Sequence, residues 1–165
     1  MTTFIWERFT PPDIPEAQIE LVKKIIKKFL LGIYVSRSGG DILYRFQVSQ
    51  DMQPDLISNF IAALAMFGEE KMGAIKRIII EGLNVELSIV SKHDLICVIF
   101  FRPNMVSNYL AAEAELGLDK FAEMFAEPLR KNRTNTKIYE KRFDAVMFKL
   151  VKDYLQKMNI FPPGM

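Results

Sequence analysis

His93 and Cys97 are the only histidine and cysteine in the chain, so any imidazole or thiolate chemistry must run through these two residues. No disulfide can close within the chain, a structural zinc site lacks ligands, and a Ser/His or Cys/His triad has one candidate base. His93 lies between Lys92 and Asp94 in a polar stretch and reads as a solvent-exposed turn residue. Cys97 sits inside the apolar run Leu95 to Phe101 and reads as a small core side chain. Carboxylates such as Glu81, Glu86 and Asp94 are at hand, but no pair has a spacing diagnostic of acid-base or metal chemistry. Gly39 and Gly40 follow a β-prone run, yet a second such run comes after them, and a phosphate-cradling loop needs a helix there. The sequence therefore assigns no catalytic, cofactor-binding or metal-binding residue, and it points to binding rather than catalysis.

Composition agrees. The 165 residues are half apolar, with 22 Lys and Arg against 20 Asp and Glu, a net charge of +2. That length makes one domain, which buries roughly 70% of its unfolded surface and needs no disulfide or metal. So small a charge excess argues against a general nucleic-acid binder. The first residues mix acidic and basic side chains and lack the apolar core of a signal peptide. No apolar run approaches the roughly 20 residues that span a bilayer. The expected location is the cytoplasm, with membrane contact limited to the surface.

The elements that must position these residues follow from periodicity. Val22, Ile25, Ile26, Phe29 and Leu30 mark one helical stripe over about Pro15 to Phe29, with Lys23, Lys24, Lys27 and Lys28 largely off it. Leu31 to Ser36 and Asp41 to Ser49 form a hairpin about Arg37-Ser38-Gly39-Gly40. Asp51-Met-Gln-Pro54-Asp55 opens a helix whose stripe is Leu56, Ile57, Phe60, Ile61, Leu64 and Phe67, with Gly68 and Gly73 near its end. Three strands follow, Lys76 to Glu81, Asn84 to Val90 and Leu95 to Phe101, joined by turns at Glu81-Gly82-Leu83 and Lys92-His93-Asp94. The last is apolar throughout, so it should be central and covered on both faces. A helix from Met105 to about Arg130 has weak points at Gly117 and Pro128. After the polar link Asn132 to Asn135, a final helix carries Phe143, Val146, Met147, Leu150, Val151, Tyr154, Leu155 and Met158 to Asn159. The expected fold is a single layered α+β domain with a five-stranded antiparallel sheet.

Three segments resemble longin-domain proteins of the longin and roadblock superfamily, and most of all archaeal longin-like proteins. They are the hairpin Leu31 to Arg45, the helix Pro54 to Phe67 and the strand region Ile78 to Leu87. The resemblance implies a sheet of order 2-1-5-4-3, with the crossover helix on one face and the terminal helices on the other. It divides the chain into an N-terminal segment and amphipathic helix at 1–30, a longin-like domain at 31–160 and a short tail at 161–165. It further implies a non-catalytic platform that forms a homodimer, or a heterodimer with another longin or roadblock protein, and binds a small Ras-like GTPase. The helix before the first strand is closer to roadblock proteins, whereas two helices after the fifth strand favour longin. Nothing resembles a SNARE motif, which leaves an adaptor or regulator role in trafficking or signalling.

Two surfaces follow as candidates. The third strand, at a sheet edge, can pair with a second copy, and Ile78 and Ile80 on it, with Asn59 and Met66 on the crossover helix, form the expected partner contact. Trp6 with Lys23, Lys24, Lys27 and Lys28 suits an anionic membrane or a partner surface. The alternatives are a peripheral membrane tether or vesicle-complex subunit, and a small-molecule sensor using a pocket between sheet and helices.

Overall fold

A computed structural model describes residues 15–37, 39–49, 57, 59–61, 77–80, 85–102, 107–133 and 135–157. Pro15 precedes helix α1, Glu16–Phe29, which passes without a loop into strand β1, Leu30–Arg37. Strand β2, Ile42–Gln47, returns alongside it after a turn in which Gly40 adopts a φ of 105°, a conformation natural only to glycine. The other strands are β3, Arg77–Ile80, β4, Val85–Lys92, and β5, Leu95–Phe101. Helix α2 is Ser107–Met124, the short α3 is Ala126–Arg130, a 3-10 turn covers Thr136–Ile138, and α4 is Glu140–Lys157.

The fold is α+β, an antiparallel sheet with helical residues against both faces. β5 lies between β1 and β4, β2 flanks β1, and β3 adds through backbone pairing to β4, giving the order β2-β1-β5-β4-β3. The apolar run of β5 has its physical reason in this place. Leu95, Cys97, Ile99 and Phe101 join the core under α1, α2 and α4, while Ile96, Val98 and Phe100 join a second core on the other face with Ile57 and Ile61. Of the crossover-helix stripe, Ile57 and Ile61 are buried and Phe60 partly so. Leu56, Leu64, Phe67, Gly68 and Gly73 lie outside the described residues, as do the turn at 81–83, Met105 and Met158.

The first core is dominated by aromatic rings. Phe121 stacks on Tyr139 at 5.3 Å between centroids and meets Phe143 edge-on at 5.0 Å, with Phe125 and Tyr44 against the same ring. Val22 and Ile26 of α1 belong to this core too, so the N-terminal helix shares the packing of the sheet.

The long helix breaks at Phe125, at neither of the two expected weak points. A continuous helix would drive the Pro128 ring into the carbonyl of Met124, and restarting at Ala126 puts Pro128 in a first turn, where its missing N–H costs nothing. Gly117 stays inside α2 because the helices are close there: a Cβ on it would lie 3.3 Å from Leu150 Cδ1.

Candidate interaction surfaces

Among the described residues β3 ends the sheet, and alternate backbone N–H and C=O groups on its outer side have no strand partner there. Ile78 pairs in register with Leu87 and Ile80 with Val85. Asn59 is exposed on the helical residues that cover the neighbouring face. Met66 lies outside the described residues, so the expected four-residue contact reduces to an edge strand and one exposed amide.

On α1, Lys24, Lys27 and Lys28 are exposed, and Leu21 beside them leaves 51% of its surface open. Leu21, Lys24 and Lys28 follow i, i+3, i+7 spacing and share a face. Lys28 Nζ sits 5.9 Å from the centre of the Phe29 ring. Lys23 departs from expectation, because it is buried, with 8% of its surface accessible. It stands three residues before Ile26 and four after Ile19, at the border of the apolar stripe, where a lysine's methylene stem packs readily. Trp6 lies outside the described residues.

The single histidine occupies the β4–β5 turn. His93 and Asp94 have φ of 58° and 59°, the paired left-handed conformation of a tight hairpin turn. His93 Nε2 lies 2.6 Å from Asp119 Oδ1 on α2, and Lys92 Nζ lies 3.0 Å from the same oxygen. Hydrogen bonds from His93 and then Lys92 hold the Asp119 carboxyl below its usual range. An imidazole with a carboxylate is two thirds of a triad, but the nearby Ser91 hydroxyl donates to the Leu95 carbonyl, and burial pushes the Cys97 thiol up to about 12. The arrangement clamps the hairpin to α2, with side chains exposed enough that its ion pairs contribute little.

A narrow apolar space of about 40 Å³ lies between the sheet and α1, α2 and α4, bordered by Ile26, Val35, Cys97, Leu118 and Met147. A water needs roughly 10–15 Å³ on this measure and ligand pockets run to about 300–1,000 Å³, so the space is a packing void. Glu113 borders it, one carboxylate oxygen bonded to Lys157 and the other buried with no partner among the described residues. No group of three or more His, Cys, Asp and Glu able to hold a metal occurs among the described residues. No described helix is long and apolar enough to cross a membrane.

A further surface escapes a reading of residues 132–135 as a plain polar link. Residues 130–142 carry six Lys and Arg against one Glu in a chain whose total is +2. Of these, Lys131, Arg133 and Arg142 border an open groove of about 600 Å³ beside α3, the 3-10 turn and the start of α4. A charge count in a short window would have found them. No protein-family model matches the chain, and no curated protein matches it.

Proposed function

We propose that this chain is a non-catalytic interaction platform of the longin and roadblock type, which pairs with itself or a related chain and binds a small Ras-like GTPase. The observation that carries the reading is the strand order β2-β1-β5-β4-β3 with helices against both faces. The outer side of β3, which has no strand partner among the described residues, supports the pairing step, since a twofold axis there lets two sheets join by backbone hydrogen bonds. Light scattering at micromolar concentration, alone and with small GTPases loaded with GDP or a GTP analogue, tests both parts. A dimer that binds in one nucleotide state is the expected result. A strict monomer that binds no GTPase in either state rejects the reading.

The exposed set Leu21, Lys24 and Lys28 on α1 favours a second reading, a peripheral membrane tether. In flotation with anionic vesicles, charge reversal at Lys24 and Lys28 should release the protein from the lipid fraction. Equal flotation of both forms removes this reading.

A further inference from the structure

At Asn132 and Arg133 the basic segment is held by its backbone. Asn132 takes a left-handed φ of 54°, the Asn132 N–H donates to the Leu129 carbonyl at 3.1 Å, and the Arg133 N–H donates to the Pro128 carbonyl at 3.0 Å. These paired bonds are the Schellman termination of α3, and Asn is one of the few residues besides Gly that tolerate its left-handed position. From the other side, the buried Tyr139 hydroxyl donates to the Arg133 carbonyl at 2.6 Å. Arg133 is thereby fixed in the chain between a helix end and an aromatic core.

Arg142 is placed independently, its guanidinium 5.4 Å from the centre of the buried Phe125 ring. Both arginines are exposed, both line the groove, and neither makes an ion pair among the described residues. Lys131, at the same rim, is engaged by Glu127 at 3.3 Å. Met124, Pro128 and Ile138 give the groove an apolar part.

We propose that this groove binds an acidic, partly apolar peptide segment of a partner protein, its carboxylates taken by Arg133 and Arg142 and its apolar side chain by Met124, Pro128 and Ile138. Guanidinium forks match carboxylates in two-point geometry, and backbone rigidity lowers the ordering cost of forming those bonds. Glu123 and Glu127 also line the groove, and they repel a dense polyanion such as nucleic acid while leaving room for spaced carboxylates. The inference does not depend on the platform reading. The 3-10 turn lies against β2, at the opposite edge of the sheet from β3, and no GTPase enters the test.

The test is fluorescence anisotropy on the full chain with a labelled peptide alternating glutamate and leucine, a second peptide with serine in place of leucine, and a single-stranded oligonucleotide. The first peptide should bind saturably and the other two more weakly, the serine form by about tenfold. Arg133→Glu with Arg142→Glu should abolish binding. Arg133→Lys with Arg142→Lys, which keeps charge but loses the forks, should lower affinity about tenfold. Lys24→Glu with Lys28→Glu, on α1, should leave it unchanged. All the substituted side chains are exposed, so melting temperatures should stay near that of the parent chain. The proposal fails if the first peptide does not bind, if serine peptide or oligonucleotide binds as tightly, or if reversal at Arg133 and Arg142 has no effect.

Discussion

Tyr34 and Tyr44 lie on adjacent strands and face opposite sides of the sheet, and each is almost wholly buried. Tyr44 packs among the rings under the helices, and its hydroxyl donates to Asp144 Oδ1 on α4 at 2.6 Å. Tyr34 meets Phe100 edge-on at 5.5 Å on the other face, and its hydroxyl has no partner among the described residues. Burial raises the pKa of both phenols, and the Asp144 carboxylate adds to the rise at Tyr44. One face thus joins sheet to helix by packing and a polar bond, whereas among the described residues the other holds its tyrosine through ring packing.

The largest test of this difference is Phe121→Ala, which removes the ring that Tyr44, Phe125, Tyr139 and Phe143 all touch. Urea unfolding should show a loss of about 3–5 kcal/mol. Next, Asp144→Ala leaves the Tyr44 hydroxyl buried without its acceptor and should cost about 1–3 kcal/mol. Asp144→Asn keeps an acceptor and should cost less. Burial raises the Asp144 pKa, opposed by the Tyr44 hydrogen bond and assisted by Glu140. The folded chain therefore holds this proton more tightly than the unfolded one. Its contribution to stability is greatest below the ordinary aspartate value of about 3.9 and declines as pH rises through the raised native value. Unfolding midpoints across that window should decline less in Asp144→Asn, and an unchanged slope would assign the pH dependence elsewhere.

On the opposite face, a Cβ at Gly32 would stand 3.0 Å from the Tyr34 ring and hydroxyl. Gly32→Ala should cost about 1–2 kcal/mol in the same unfolding assay, as overpacking does. The smallest effect is expected of Tyr34→Phe, within about 0.5 kcal/mol of the parent, because the hydroxyl it removes has no hydrogen-bond partner among the described residues. A loss as large as that of Asp144→Ala would show that Tyr34 has a polar role and would erase the contrast between the faces.

The same contrast bears on what the amino-acid sequence reveals. The run Leu95 to Phe101 marks β5 correctly at both ends, because burial on two faces writes an unbroken apolar signal. The stripes of α1 and α4 are legible for the related reason that each helix has one dry side. Phe148 is fully buried beside Met147 although the stripe of α4 omits it, since several elements close around that helix. The burial of Lys23 was not legible, because it depends on neighbours in space, whereas the break was legible in Pro128 but is displaced to Phe125 by the clash of that ring with the carbonyl four residues earlier. The groove of Arg133 and Arg142 was half legible: its charge is local in sequence, while its shape needs α3 to stop at a left-handed Asn132.

Cys97, buried in β5 under three helices, has one last consequence. A thiol held near pKa 12 and closed off from solvent reacts with an alkylating reagent only in molecules whose helical layer has lifted. With a single cysteine in the chain, labelling rate becomes a clock for that opening. Read with and without a bound partner, the clock tells whether recognition at the rim is felt at the centre of the sheet.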